Sequence, residues 1–214
     1  ADIQLDNNKE TITAHCPNTG SMRGLLDEGN PVFVTKVDDP KRKLKFTLEI
    51  IKSDNANVGV NTHKANRIVE DAIEMHMIPE LGKYDSYKRE VKYGTNSRID
   101  FLLSDGDEQT YVEVKNVTLS RKKETAEFPD AVTERGSKHL IELSKLTNKN
   151  TRAVMLFLIH RDDCKKFKIA SDIDQTYYDN FKKVKKKGVE IICYNCSFES
   201  DKIRVNKKIK LINE

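Results

Sequence analysis

The chain has 214 residues, 37% hydrophobic and 34% charged, with a formal net charge of +4. That suits one large globular domain or two small ones. Its longest unbroken apolar run, residues 153–159, is far shorter than the ~18 residues a membrane-spanning helix needs, so no such helix is expected. A pI near 8.7 permits a polyanionic partner without demanding one.

Residues 1–60 read as short strands divided by turn residues. "ADIQL", "ETITAH", "PVFVTKV", "KFTLEII" and "VGVN" alternate with "DNNK", "CPNTGSMRG", "DDPKRK" and "SDNAN". Strands at that spacing fit a small barrel, with an oligonucleotide-binding barrel as one candidate. The loop "CPNTGSM" offers Asn18, Thr19 and Ser21, which either form a plain barrel turn or face a nucleic-acid backbone. "PKRKLK" gathers Lys41, Arg42 and Lys43, a cluster suited to phosphates.

The texture changes after Asn61. Ala65, Ile68, Val69, Ala72 and Ile73 recur at helical spacing. Three strand-like runs follow, "YKREVKY", "SRIDFLL" and "TYVEVKNV", with Asp105-Gly106 placed for a tight hairpin. A second helix is expected to open near Pro129-Asp130, with Val132, His139, Leu140, Leu143 and Leu146 as its apolar row. "RAVMLFLI" reads as a strand buried on both faces. A third helix, near residues 174–187, and the strand "VEIICY" complete the chain. The order helix, three strands, helix, strand, helix, strand implies an α/β sandwich on a mixed sheet. The lysines of "FKKVKKKG" read as a solvated helix face. "CYNC" has no second ligand pair, so its cysteines read as packing residues. With no secretory signal and no disulfide framework among four cysteines, a reduced, cytoplasmic setting is expected.

Charge sits where these strands should be apolar. In "SRIDFLL", Ile99, Phe101 and Leu103 share one face and Asp100 takes the other. In "TYVEVKNV", Glu113 and Lys115 share a face with Tyr111, which reads as packing. Hairpin pairing can bring Asp100 beside Glu113. Two adjacent carboxylates repel unless a proton or cation joins them, and oxygen donors favour Mg²⁺. A neighbouring lysine can orient a metal-bound water or hold a phosphate. The alternative is a solvent-facing strand face with a salt bridge. Arg135 and His139, four apart on the second helix, share a face that could meet phosphate, although His139 also reads as a core histidine.

The D…ExK pattern, in this order of elements, resembles the PD-(D/E)XK nuclease core. The longer strings "HCPNTGSMRGLL", "VGVNTHKANRIVEDAI", "REVKYGTNSRIDFLL", "YVEVKNVTL" and "FPDAVTERGSKHLIEL" resemble the sugar fermentation stimulation protein A family over nearly the whole chain. That resemblance implies an α/β (α+β) fold. Residues 1–60 would form an oligonucleotide-binding-like barrel and residues 61–214 a nuclease-like sandwich with a mixed central sheet. It also implies a further basic stretch ahead of Ala1. Asp100 and Glu113 become ligands for Mg²⁺ or Mn²⁺, helped by the Val114 carbonyl, and Lys115 becomes the catalytic lysine. Glu70, alone a solvated helix residue, matches the superfamily's helix carboxylate. The implied partner is DNA, with no membrane and no small-molecule cofactor. Two functions follow, a Mg²⁺-dependent nuclease and a non-cleaving DNA-binding regulator of sugar (maltose) metabolism genes. A carbohydrate-binding enzyme finds no support, since the chain has no Trp for sugar stacking.

Overall fold

The seven apolar residues of "AVMLFLI" are wholly buried in the strand β11 (Thr151–Ile159) of the computed structural model, which describes residues 1–7, 9–94 and 97–212. Asn8 of the first linker and Thr95-Asn96 of "KYGTNS" fall outside the described residues, as do residues 213–214.

In chain order the strands are β1 (Asp2–Gln4), β2 (Thr11–His15), β3 (Val32–Lys36), β4 (Phe46–Ser53), β5 (Ala56–Gly59), β6 (Ser86–Tyr93), β7 (Ser97–Asp105), β8 (Glu108–Val117), β9 (Leu119–Lys122), β10 (Thr125–Phe128), β11, β12 (Lys166–Ile169), β13 (Glu190–Phe198), β14 (Ile203–Lys208) and β15 (Lys210–Leu211). The helices are α1 (His63–Glu74), α2 (Glu134–Leu143) and α3 (Gln175–Lys186). None is long and apolar enough to cross a membrane.

The central sheet runs β14-β13-β11-β8-β7-β6. It is mixed: β8, β11 and β13 are parallel, and both outer pairs are antiparallel. Alternate β11 residues enter two cores. Ala153, Met155, Phe157 and Ile159 meet α2 and α3 through Leu140, Leu143, Tyr177 and Phe181. Val154, Leu156 and Leu158 meet α1 through Ile68, Val69, Ala72 and Ile73. Helices on both faces explain why this strand is apolar throughout. Cys193 and Cys196, three apart on β13, enter opposite cores as free thiols, so the two sulfurs cannot grip one metal.

Three local expectations are corrected. The second helix begins at Glu134 rather than near Pro129-Asp130, because Thr133 is the residue that caps it, accepting from Gly136 N at 3.0 Å. Asp174 caps α3 and also accepts from Thr133 N, tying the two helix starts together. Val132 is consequently 72% exposed rather than part of the apolar row. Ile99 does not share a core with Phe101 and Leu103. The alternation breaks at Asp100, opposite Glu90, which lies at φ 52. A four-stranded sheet, β15-β12-β10-β9, also joins runs too short to read in advance.

The N-terminal strands form a five-stranded sheet, β1-β2-β4-β3 with β5 on β4. Among the described residues it stays open rather than closing into a barrel. The far side of β5 is instead taken by the larger unit: Val58 bridges Arg161, Gly59 N donates to His160 O at 2.8 Å, and Asn57 holds Asp162. Thr62 Oγ1 donates to Pro17 O at 2.7 Å, and Ser21 binds Asp130, so the loop at residues 16–22 is pinned beside the second unit.

Candidate metal centre

The β7–β8 hairpin turns at Gly106-Asp107, with Asp105 paired to Glu108 and Gly106 at φ 55. The same register places Asp100 opposite Glu113, one step beyond the Phe101–Val112 pair. Here the ladder opens, and Asp100 Oδ2 accepts from Val114 N at 2.7 Å. Its other oxygen accepts from Asn66 Nδ2 of α1 at 2.7 Å. Burial first, and the Glu113 charge second, raise the Asp100 carboxyl from 3.8 to about 6, against the opposing pull of Val114, Asn66 and Lys115.

Glu113 is only 3% exposed. Its Oε1 accepts from Lys115 Nζ at 2.7 Å and lies 2.5 Å from His139 Nδ1. A carboxylate oxygen only accepts, so Nδ1 carries the hydrogen there. Burial alone would raise the Glu113 carboxyl, but the bonds and charges of His139 and Lys115 outweigh it and hold the group below its usual value. Glu113 Oε2 is buried without a protein partner. An orphaned carboxylate oxygen beside a second, half-buried carboxylate is a defect unless something positive meets it.

These groups line a cleft of about 680 Å³ whose basic side chains include Arg98, Arg135 and Lys138. Arg135 Nε approaches His139 Nε2 at 3.5 Å. The structure therefore gathers Asp100, Glu113, Val114, Lys115, Arg135 and His139. Glu70 is not among the cleft's lining residues. It is buried with Oε2 on Arg89 at 2.8 Å and on Arg67 at 3.3 Å, while Asn66, one turn earlier on α1, reaches Asp100. Asn66 is the residue missed in the sequence, and its signal was the shared helix face four positions before Glu70.

Lys41 and Lys43 are exposed between β3 and β4 and do not line the cleft, and Arg42 donates to Thr47 Oγ1 at 3.1 Å. Asn18 and Thr19 line a smaller cavity that shares Thr62, Asn116 and Phe128 with the cleft, whereas Ser21 is held by Asp130.

Among the described residues no three His, Cys, Asp or Glu side chains converge as a closed metal cage. The donors present are two carboxylates, with room in the cleft for waters or substrate oxygens. Such a set fits a hard divalent cation that keeps part of its hydration shell, and the orphaned Glu113 Oε2 is where its charge would be met.

Family models match the two parts of the chain separately: the SfsA N-terminal OB domain over residues 1–60 and the sugar fermentation stimulation protein RE domain over residues 63–202. The sugar fermentation stimulation protein homolog of Pelagibacter ubique is 52% identical over 213 residues, covering 100% of this chain and 91% of that protein. The Agrobacterium fabrum homolog is 46% identical over 201 residues, covering 94% and 84%. The solved structure of Pyrococcus furiosus SfsA in complex with Ca²⁺ superposes with a TM-score of 0.84 at 26% identity, covering 96% of this chain and 87% of that one. With both domains matched and half of all positions shared with one relative along the whole chain, this protein belongs to the sugar fermentation stimulation protein (SfsA) family.

Proposed function

We infer that this protein is a divalent-metal-dependent phosphodiesterase acting on DNA, with Mg²⁺ or Mn²⁺ held by Asp100, Glu113 and the Val114 carbonyl. The observation that carries the reading is the partnerless Glu113 Oε2, buried in a cleft beside Asp100, Lys115 and His139. The Ca²⁺ in the Pyrococcus relative supports a hard, oxygen-seeking ion of the same charge.

Each side chain then has a task. Asn66 and Val114 N fix both oxygens of Asp100. His139 and Lys115 hold Glu113 Oε1 and leave Oε2 for the ion. An ion held by Asp100 and Glu113 would supply Lewis acidity, lowering the pKa of a water and drawing charge from the phosphate. Lys115 Nζ, fixed at the cleft floor, stabilises negative charge developing on the phosphate oxygens. Arg98, Arg135 and Lys138 supply cations for the flanking phosphates.

Wild-type protein is expected to cut single- or double-stranded DNA in Mg²⁺ or Mn²⁺, and Lys115→Ala to bind DNA without cutting it. If wild type binds DNA normally and leaves it intact across divalent ions, the phosphodiesterase reading falls and the non-cleaving regulator stands.

The basic cluster in the connection between β3 and β4 makes a separate contribution to the same reading. Replacing Lys41, Arg42 and Lys43 together by Ala is expected to weaken DNA binding. It should also flatten the dependence of log affinity on log salt by about one unit per lost phosphate contact. A titration series in KCl measures this, and an unchanged slope would place the DNA surface elsewhere.

A further inference from the structure

The smaller cavity beside the metal cleft, about 270 Å³, lies between the N-terminal loop and the nuclease-like domain. It shares Thr62, Asn116 and Phe128 with the cleft, so the two cavities adjoin. Its chemistry differs from the cleft's. Among the described residues no Lys, Arg or His lines it. Its two carboxylates are Glu127, whose oxygens are already taken by Arg121 and Lys168, and Asp130, whose Oδ2 accepts from Ser21. A phosphate would meet negative charge and no cation there, so the occupant is neutral.

The hydrogen-bonding groups are oriented. Asn18 Oδ1 accepts from Gly20 N at 2.8 Å, so its NH₂ is the group left for a ligand. Asn116 Oδ1 faces His160 Nδ1 at 3.0 Å, which likewise leaves its NH₂. Thr19 and Thr118 add hydroxyls, and Asp130 keeps Oδ1 as an acceptor. Phe128, steadied by edge contacts with Phe157 and Tyr177, gives an aromatic wall. The loop is seated closely enough that a Cβ on Gly20 would lie 2.9 Å from Asp130 Oδ2.

Carboxamide donors, one carboxylate acceptor and an apolar wall answer a base edge in which carbonyls adjoin a ring N–H. We propose that this cavity is a nucleobase subsite, taking one unpaired thymine or guanine of the strand whose phosphate occupies the metal cleft. The proposal rests on the phosphodiesterase reading above and adds to it a base-specificity determinant, contributed by the N-terminal domain. A base in the pocket has left its partner, so the substrate strand is single or locally opened.

The test compares thymidine 5′-monophosphate with deoxyribose 5-phosphate in Ca²⁺ by calorimetric titration. Wild type is expected to bind the nucleotide on the order of tenfold more tightly, as base stacking and edge contacts would provide. Asn18→Asp keeps the oxygen that accepts from Gly20 N but removes the NH₂. It should bring the nucleotide down to the level of the sugar phosphate measured with the same variant, so that the ratio of the two affinities, which cancels the added charge, falls to about one. Thr19→Ala, which breaks no bond within the loop, should lose part of the preference. Equal affinities in wild type would overturn the base subsite while leaving the metal cleft standing. A preference that survives Asn18→Asp would also overturn it, because the base would then lie elsewhere. Failure to bind either compound would remove the phosphodiesterase reading and the subsite with it.

Discussion

Asp100→Asn is expected to melt above the wild-type protein in EDTA at pH 8 and below it once Mg²⁺ is added. The cause is the position of the Asp100 carboxyl, raised from 3.8 to about 6 by burial and by Glu113. Between those two values the folded state holds a proton that the unfolded state has released. Stability therefore falls as pH rises from about 4 to about 6, and the cost is carried in full above that. A shift of about two units corresponds to at most about 3 kcal/mol. The carboxamide removes that charge while keeping an oxygen for Val114 N, and Asn66 can turn its own amide to present oxygen.

At roughly 2–4 °C per kcal/mol for a chain of this size, the variant should gain several degrees in EDTA at pH 8 and lose that advantage near pH 4. A divalent ion reverses the order because it binds the folded carboxylates. At a hundred times its dissociation constant it would stabilise wild type by about 2.7 kcal/mol and the variant far less. Thermal melts at two pH values, with and without Mg²⁺, give all four comparisons. Parallel responses of the two proteins to Mg²⁺ would remove Asp100 from the ion site.

Gly59→Ala is expected to weaken the joint between the two domains severely. A Cβ at that position would lie 2.0 Å from His160 Nε2 and 2.3 Å from Cδ2. The imidazole cannot step aside: it is fully buried, faces Asn116 through Nδ1 and stacks on Phe198 with ring centroids 6.1 Å apart. The backbone cannot retreat either without breaking the bond from Gly59 N to His160 O. Glycine is required here for space and not for its torsion angles, since Gly59 is absent from the positive-φ residues.

Overpacking in a closed seam costs about 1–3 kcal/mol, and loss of the backbone bond would add to it. Urea denaturation of Gly59→Ala should show that loss, and His160→Ala in the same chain should recover much of it by removing the ring. Strictly additive effects of the two substitutions would mean that the residues do not press on one another.

Much of this architecture is written in local pattern. The strand β11 is legible because seven consecutive apolar residues suit only a strand covered on both faces, and α1 because its apolar residues recur at 3.6. Asp100, Glu113 and Lys115 stand out because charge at those positions contradicts the burial around it. Period and composition reach no further than the element they describe. They left Glu70 as a solvated helix residue, and the family resemblance that assigned α1 a polar site group could not say which turn reaches Asp100. That depends on where the helix seats against β8, and packing put Asn66 there and turned Glu70 toward Arg89. They marked His139 as either a core or a phosphate residue, whereas its contact with Glu113 exists only once α2 is laid across the sheet. The open N-terminal sheet has the same origin. Turn spacing predicts strands in sequence, but the edge of β5 is satisfied by residues 57–59 meeting residues 160–162, about a hundred positions away. No local signal carries a pairing between segments so far apart, so only the folded chain decides it.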